Sequence, residues 1–538
     1  MALLLLSPLL LLLLLGLFYA YITRNSQYFE GKPIPCLPAE PLFGSSRHLL
    51  LRKVSSYDFM RTIYNRFERL KVFGMFDLIN PVFVVRDPDL IKQIAVKDFD
   101  HFVNHRPIFG SNLDRDSIAL FGKTLFALSD QQWRDMRATL SPAFTGSKMR
   151  QMFQQVVECS SGMVQYYKKQ TDTNGQCYEL KEVFSRYTTD VIASCAFGLK
   201  VDSFRDPTNS FYTNGQRMID FARFKVLLKV LAYRLFPWIM EKLEVDLVDR
   251  ELNLFFAEIV LETEKMRELQ GIVRSDMIHL LMQAKKGILK RHKEQEESLA
   301  EGFATAQESD VGAVDSQHYQ TMTQIELVAQ CLIFFLAGFD TVANCLTFLA
   351  YELTLNRDIQ DRLYEEIVAT DIDLQQKPLT YEAFQHMKYM DMVVSESLRK
   401  WSPAPSTDRI CTRDYVVQNE NGVEFTIDKG TVVFIPIVGL HYDPQYYPDP
   451  EKFDPERFSE SNRDKIQPGT YLPFGIGPRN CIGSRFALME VKAIIYQLLK
   501  EFTFERTPRT EVPVQLQKGF VALGSENGIY VNFKPRHS

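Results

Sequence analysis

The chain has 538 residues, of which 46% are hydrophobic and 24% are charged, and its formal net charge is -5. This composition is ordinary for a globular protein with ample core and gives no sign of general disorder. Nucleic-acid-binding proteins usually carry a strong basic excess, so nucleic acid is not an expected partner. The eight cysteines form no CxxC pair, which argues against a zinc site or a disulfide framework and favours a reducing compartment.

An uncharged and almost wholly apolar run covers residues 3–22. It is long enough to cross a bilayer core as a helix. A cleaved signal peptide is the alternative, but no basic region precedes the run and no small-x-small cleavage site follows it. Positive charges such as Arg24 and Lys32 appear only after the run, so the positive-inside rule predicts a cytoplasmic remainder. We therefore predict a transmembrane anchor at residues 1–23.

Closely spaced prolines in residues 31–38 deny helix and predict a stiff linker over residues 24–45. One large globular domain would then cover residues 46–538. Within it, residues 73–85 predict a hairpin and residues 415–435 another strand pair, while the remainder is largely helical. Residues 285–317 are mostly charged and polar, which predicts an exposed loop.

A long helix is predicted to begin at Thr323, with Glu326 three positions later and an apolar run over residues 327–351. A second membrane span is the competing interpretation. Asp340 lies in the middle of the run, where lipid would make a carboxylate costly, so we favour a buried helix that lines a site.

A third apolar segment, residues 226–240, contains Lys229, Arg234 and Trp238. Such a pattern is typical of a surface element partly immersed in a membrane. A core helix fits the pattern equally well, and both interpretations stay open.

The most specific motif is the glycine-rich loop 473–483, followed directly by a helical pattern over residues 484–502. Cys481 lies at the predicted helix N-terminus, where free N–H groups and the helix dipole favour a thiolate. No second cysteine or histidine has zinc spacing, whereas one thiolate suffices as the axial ligand of a haem. Arg479 is placed to pair with a haem propionate.

This loop resembles the haem-binding signature of the cytochrome P-450 superfamily, Phe-x-x-Gly-x-Arg-x-Cys-x-Gly. The fixed positions are all filled, by Phe474, Gly477, Arg479, Cys481 and Gly483. One motif alone could arise by chance, so the resemblance to the family depends on whether its other motifs are also present.

The next motif is Glu396 and Arg399, whose spacing puts both side chains on one helical face. Downstream, Arg457 lies in a segment that resembles the family's third partner of this pair. The resemblance implies a buried structural network behind the haem.

Residues 337–341 resemble the family's oxygen-activation segment. Gly338 is expected to leave room for oxygen, and Asp340 and Thr341 to relay protons to bound dioxygen. The family often has a second hydroxyl residue next, whereas this chain has Val342. A Thr bonded back to its own helix is the alternative for Thr341.

Trp133 and Arg137 share a helical face and are both expected to donate to a propionate. Arg409 matches another propionate-binding arginine. Many relatives have arginine at the position of His105, so a propionate contact there stays open.

The resemblance covers essentially the whole chain and is nearest to insect microsomal members of the clan that holds the vertebrate drug-metabolising family three. It implies a mainly α, single-domain cytochrome P-450 fold with small β-sheets, a triangular helical prism with haem b between the central helix and the cysteine-loop helix. It also implies a monooxygenase of the endoplasmic reticulum membrane that uses O2 and NADPH electrons from cytochrome P-450 reductase, with cytochrome b5 as a further partner.

Substrates are expected to be lipophilic, such as plant toxins, insecticides or terpenoids, because the candidate walls are mostly apolar. These walls are residues 108–129, 204–224, 406–409 and 520–523, with Phe334 and Phe335. Two alternatives remain: a reductase-independent haem-thiolate isomerase, against which Asp340 and Thr341 count, and a membrane-tethered protein that sequesters haem or ligands.

Overall fold

The computed structural model describes residues 2–107, 119–172, 174–220, 224–288, 303–305, 322–375, 377–519 and 523–536. The helices in these ranges are α1 (Ala2–Thr23), α2 (Arg47–Leu50), α3 (Ser56–Asn65), α4 (Pro88–Lys92), α5 (Asp130–Leu140), α6 (Gly146–Gln170), α7 (Leu180–Ile192), α8 (Ser210–Ile219), α9 (Phe224–Leu235), α10 (Pro237–Lys242), α11 (Arg250–Gln270), α12 (Met277–Lys285), α13 (Gln324–Leu355), α14 (Arg357–Asp373), α15 (Tyr381–Gln385), α16 (Lys388–Lys400), α17 (Ile437–His441) and α18 (Ser484–Glu501). The strands are β1 (Val72–Asp77), β2 (Asn80–Val85), β3 (Gln176–Glu179), β4 (Thr407–Ile410), β5 (Tyr415–Gln418), β6 (Glu424–Ile427), β7 (Val432–Ile435), β8 (Phe502–Arg506) and β9 (Tyr530–Pro535). The predicted mainly helical fold with small sheets is confirmed.

The central helix α13 begins as its sequence predicts. The Thr323 hydroxyl accepts from the Glu326 N–H, and the Glu326 carboxylate accepts from the Thr323 N–H, which is a capping box. Among the described residues, α13 is the one helix long and apolar enough to cross a membrane, and most of its apolar window is buried inside the protein. It packs against α7, α11, α16 and α18, so it is a core helix.

Three small sheets flank the helices. One has the order β1-β2-β7-β4, with β2 and β7 parallel and the other pairs antiparallel. The others have the orders β3-β9-β8 and β5-β6. The predicted hairpin is therefore β1 and β2, and the predicted pair at residues 415–435 is β5 and β6, with β7 joining the first sheet.

The predicted linker packs on the first sheet. Phe29, Ile34 and Leu37 are buried, and Leu37 and Gly74 are joined by a backbone hydrogen bond of 2.9 Å. A Cβ on Gly74 would lie 2.7 Å from the Phe29 ring, so the strand needs glycine for this close approach. The prolines stiffen a segment that adheres to the domain instead of crossing open solvent.

The apolar segment 226–240 forms parts of α9 and α10, which Phe236 separates. Tyr233 is buried, as in a core helix, while Leu228 and Trp238 are exposed, and the partial immersion in a membrane stays a prediction. The Tyr21 ring at the end of α1 stacks on Phe236 at 5.5 Å, so these helices meet the N-terminal helix. The predicted loop 285–317 lies mostly outside the described residues.

A buried ion-pair network joins α16 to the segment after α17, as the motif predicts. Arg399 Nε and Nη2 donate to the two Glu396 oxygens at 2.7 and 2.8 Å, and both side chains are 0% exposed. Arg457 Nε lies 3.5 Å from Glu396 Oε1. His441 extends the network: its Nδ1–H donates to Arg399 O at 3.0 Å, and its Nε2 accepts from the Leu472 N–H at 2.8 Å. The network therefore holds the start of the cysteine loop.

Burial lowers the pKa of His441 to about 3, and the Arg399 charge acts in the same direction. An unfolded chain binds a proton at His441 below pH about 6.5, whereas the folded protein does not. The stabilisation from neutral His441 is thus complete above pH about 6.5 and declines as the pH falls towards 3. The Gln side chain in His441→Gln can donate and accept hydrogen bonds but does not titrate. When the pH falls from 7 to 4.5, we expect the unfolding free energy of wild type to fall by about 2 kcal/mol more than that of the variant. Urea denaturation at both pH values measures this, and parallel losses in the two proteins would contradict it.

Candidate haem site

The cysteine loop is closed by its own backbone. The Cys481 N–H donates to Phe474 O and the Asn480 N–H to Gly477 O, both at 2.9 Å. Gly477 has φ +75°, and a Cβ there would lie 1.9 Å from Ala95 O. Glycine is required at this position for both reasons, because a side chain would be strained and would strike the backbone.

The helix predicted after the loop is α18, which begins at Ser484 with Gly483 as its N-cap. Gly483 has φ -93°, and a Cβ there would meet nothing closer than Phe144 at 3.9 Å. Neither backbone conformation nor packing against the described residues therefore requires glycine here, in contrast to Gly477.

The Cys481 side chain is accessible to solvent although protein surrounds it. This enclosure raises the pKa of the thiol, while the Gly483 N–H and the Arg137 charge lower it, with a net rise above the ordinary value. For the protein chain alone, desolvation thus outweighs the effects that favour a thiolate, and ligation by the Cys481 thiolate stays a prediction. Metal ligation would supply the missing stabilisation of the anion.

Helix α5 presents its two predicted residues to the cysteine loop. Arg137 donates to Asn480 O at 2.9 Å and to Asn480 Oδ1 at 2.8 Å. The Arg479 guanidinium lies 4.0 Å from the centre of the buried Trp133 ring and donates to Val103 O and Leu128 O. The structure thus brings Trp133, Arg137 and Arg479, each predicted to bind a haem propionate, close to the cysteine loop.

Arg409 reaches the same rim from β4. Its Nη2 donates to Ile476 O at 2.9 Å, and its buried Nε–H has no acceptor among the described residues. Burial lowers the pKa of Arg479 to about 8, and the nearby charges of Arg409 and Arg137 act in the same direction. The rim is short of negative charge, so its donors suit the two carboxylates of a haem.

His105 does not complete this rim in the way an arginine would. Its Nδ1 lies 3.3 Å from Asp408 Oδ1, and its ring stacks on Phe126 at 5.2 Å. Burial lowers the pKa of His105, although Asp408 opposes the shift. His105 is therefore a partner of the carboxylate beside Arg409.

The oxygen-activation segment lies at the one solvent-accessible stretch in the middle of α13. Ala337 and Thr341, one turn apart, are exposed, and Thr341 Oγ1 donates to Ala337 O at 2.5 Å. Its oxygen remains able to accept a hydrogen bond from a bound molecule. A Cβ on Gly338 would lie 2.5 Å from Ile192 Cδ1, so the absence of a side chain also lets α13 pack closely on α7. The space for oxygen at Gly338 stays a prediction.

Asp340 points to a polar pocket on the other side of α13. Its Oδ1 accepts from Lys181 Nζ at 2.5 Å and its Oδ2 from Asn344 at 3.0 Å. Lys181, Asp340, Asn344, Gln517 and Ser525 are among the residues that line this pocket. Sequence reasoning missed Lys181, since nothing in its local sequence pairs it with a residue 159 positions away.

A small apolar pocket joins the two motifs. Thr341 and Val342 of α13 line it together with Phe474 of the cysteine loop and Leu488 of α18. The oxygen-activation segment and the cysteine loop are therefore neighbours in space, 133 positions apart in sequence from Thr341 to Phe474.

The predicted substrate walls need one correction. Phe335 is 0% exposed and packs among Phe197, Phe211 and Phe256, so it belongs to the core. Phe334 lies one position earlier and is partly exposed, with its ring edge on Phe144. The predicted walls at residues 108–118 and 520–522 lie outside the described part of the chain.

Comparison with known proteins agrees with this geometry. Residues 35–533 match the family model described as Cytochrome P450. The chain is 42% identical to "Probable cytochrome P450 9f2" of Drosophila melanogaster, over 97% of this chain and 98% of that protein. It is 40% identical to "Cytochrome P450 9e2" of Blattella germanica, over 96% of each.

The chain therefore belongs to the cytochrome P450 family, whose members are haem-thiolate monooxygenases with haem b as the cofactor. Within that family it is similar to insect proteins of family nine, which confirms the resemblance read from the motifs.

Gly477→Ala should destabilise the cysteine loop through both the positive φ and the approach to Ala95 O. A matched control is Gly422→Ala, where φ is +74° and nothing lies within 4 Å of the added Cβ. We expect Gly477→Ala to cost about 2 kcal/mol more unfolding free energy than the control, and to lower the haem content per chain. Urea denaturation and haem quantification measure the two effects; equal losses in both variants would show that the contact with Ala95 is unimportant.

Proposed function

We propose that the chain inserts one oxygen atom of O2 into lipophilic small molecules, with electrons from NADPH delivered by the membrane-bound cytochrome P-450 reductase. The observation that carries this is the pocket shared by Thr341 and Phe474, since it places a hydroxyl beside the cysteine loop. Family membership supports both the reaction class and lipophilic substrates in general.

Cys481 is proposed as the axial ligand, and Arg137, Arg409 and Arg479 as the donors that hold the propionates. Haem ligated by a thiolate supplies the activation of O2 and the oxidation of the substrate. Trp133 would fix the Arg479 plane by stacking, which orients its donors. Phe474 accepts the Cys481 N–H through its backbone oxygen and so fixes the direction of the thiol.

Thr341 and Asp340 are proposed to move protons. Thr341 Oγ1 donates a hydrogen bond to Ala337 O and can accept a hydrogen bond from the reacting molecule, so it would hold that molecule in place. Asp340 would receive protons from bulk solvent through the polar pocket and pass each one on towards Thr341, which returns Asp340 to its carboxylate form. It must first leave Lys181, because the ion pair directs its carboxylate away from the apolar pocket.

Plant toxins, insecticides and endogenous terpenoids are the substrate classes that we propose, with cytochrome b5 as an additional electron donor. A membrane-tethered protein that only sequesters haem or ligands is the alternative. Such a protein would not need the Asp340 and Thr341 side chains, so their substitution separates the two functions.

Thr341→Val removes the hydroxyl with little change in shape. We expect haem content and the spectrum of the reduced carbon monoxide complex to stay as in wild type, while product formed per NADPH consumed falls roughly 100-fold, because proton delivery is lost. The measurement combines NADPH consumption with product analysis on a panel of lipophilic probes and added reductase.

Two further variants complete the experiment. Thr354→Val removes another hydroxyl bonded back within α13, to Ala350 O at 2.7 Å, and should leave turnover unchanged. Cys481→Ala should abolish the red-shifted Soret band of the reduced carbon monoxide complex. If Thr341→Val forms as much product per NADPH as wild type, the proposed proton relay is refuted. If wild type itself forms no reductase-dependent product, sequestration is favoured.

We also propose that α1 anchors the protein in the endoplasmic reticulum membrane, with the catalytic unit on the cytoplasmic side. In support, the side chains from Leu10 to Leu15 are all more than half exposed, which is costly in water. Trp238 and Leu243 are 63% and 66% exposed near the end of α1, where Tyr21 stacks on Phe236. Together these apolar side chains form a face that suits lipid.

Deletion of residues 2–23 should release most of the protein from microsomes at alkaline pH, whereas the full chain should stay in the pellet. In the deleted chain, Trp238→Ser should weaken binding to lipid vesicles about tenfold, because burial of an aromatic side chain in lipid is lost. The matched control Val273→Ser changes a side chain that is 79% exposed in another region and should have no effect. Alkaline release of the full chain, or equal effects of the two substitutions, would contradict the proposal.

A further inference from the structure

Gln330 is a buried amide of α13 that binds the backbone of a distant segment. Its side chain belongs to a residue that is 0% exposed. Its Oε1 accepts from the Leu125 N–H at 2.8 Å, and its Nε2 donates to Lys123 O at 2.9 Å. One side chain thus satisfies a backbone donor and a backbone acceptor, which are costly to leave unpaired in the interior. Gln330 therefore fixes the turn at residues 121–128 to α13.

The same turn supplies acceptors to Arg479. Arg479 Nη2 donates to Leu128 O at 2.7 Å, and Nη1 donates to Leu125 O at 3.4 Å. Leu125 is thus bonded to Gln330 through its N–H and to Arg479 through its oxygen. The Leu128 N–H donates to Thr124 O at 3.0 Å, so both acceptors belong to one compact turn. A shift of this turn would therefore move the guanidinium.

Gln330 lies on the stripe of α13 that also carries Ala337 and Thr341. These residues follow Gln330 by about two and three helical turns, so the three side chains project from nearly the same face of the helix. Ala337 and Thr341 are accessible to solvent, whereas Gln330 is covered. The face that bears the proposed oxygen-activation hydroxyl thus also fixes the turn beside the haem rim.

We propose that Gln330 is a positioning residue that fixes this turn and thereby directs the Arg479 donors towards a haem propionate. The proposal rests on the propionate-binding role proposed above for Arg479. Trp133 restrains the plane of the guanidinium by stacking at 4.0 Å, and the carbonyl oxygens of the turn fix its position within that plane. Reduction adds one negative charge to the haem, so a guanidinium held near it favours the reduced state. Gln330 thus raises the reduction potential through Arg479.

The test compares Gln330→Met with Gln360→Met in the full haem-loaded chain. Gln360 is a matched control because it is also 0% exposed, and its amide accepts from the Phe504 N–H at 2.9 Å and donates to Phe504 O at 3.1 Å. It joins α14 to β8, and neither element supplies an arginine to the rim. Both substitutions leave a backbone N–H and C=O without their amide partner, so urea denaturation should show a similar destabilisation in both variants.

The reduction potential is measured by titration of the visible spectrum, without substrate. In Gln330→Met we expect the equilibrium constant for haem reduction to fall about threefold, which is about 30 mV at 59 mV for each tenfold change, because the Arg479 charge is held less closely. Haem transfer to apomyoglobin should become about fivefold faster, because a propionate loses an oriented donor. In Gln360→Met both quantities should equal those of wild type.

A double variant tests whether Gln330 acts through Arg479. Arg479→Gln removes the guanidinium and should itself lower the potential, and Gln330→Met added to it should lower the potential no further. An unchanged potential in Arg479→Gln, or a further fall in the double variant, would overturn the proposal. Equal potentials in Gln330→Met and Gln360→Met would overturn it as well.

Loss of haem from a variant does not prevent a decision. If Gln330→Met retains no haem, Gln330→Asn, whose amide is one carbon shorter, takes its place with the same expected shift. If Arg479→Gln retains none, the comparison of the Gln330 and Gln360 variants decides. Failure of the proposed oxidation would appear as absent product while the potentials still differ as expected.

Discussion

The positive charge of Arg137, Arg409 and Arg479 in the interior is the constraint on which the rest of the structure depends. Desolvation of three guanidinium groups side by side is costly, and the carbonyl oxygens that they meet offset only part of it. The two carboxylates of haem, which we propose that these arginines bind, would supply the missing charge. The loop around Cys481, the helix α5 and the strand β4 meet at this rim, and the Glu396 network contacts the start of the cysteine loop through His441 and Leu472.

Features encoded by adjacent residues were predictable. The capping box of Thr323 and Glu326, the β1–β2 hairpin and the cysteine loop each depend on residues within a few positions of one another. Their hydrogen bonds form within one turn or one hairpin, so the sequence pattern carries the same information as the structure. The motifs for Glu396 and Arg399 belong to this group, because one helical turn places them together.

Long-range partners and the exact phase of a helix were not predictable in this way. Lys181 reaches Asp340, and Arg234 reaches Asp77, across more than 150 positions, and no local pattern announces either pair. A step of one residue turns a helix by about 100°, which is why Phe334 is partly exposed while Phe335 is buried in the aromatic core. Gly338 faces α7 for the same reason.

The adhesion of Phe29, Ile34 and Leu37 to the first sheet has a mechanical consequence. A flexible linker would let the catalytic domain reorient freely relative to α1. A linker packed along β1 instead restricts the orientation of the domain relative to this helix. If α1 is the membrane anchor that we propose, its tilt in the lipid would then fix the height and orientation of the whole molecule. Redox partners that diffuse in the same membrane would then meet the catalytic domain in a narrow range of relative orientations. Their encounter would be a two-dimensional search in which few orientations have to be sampled.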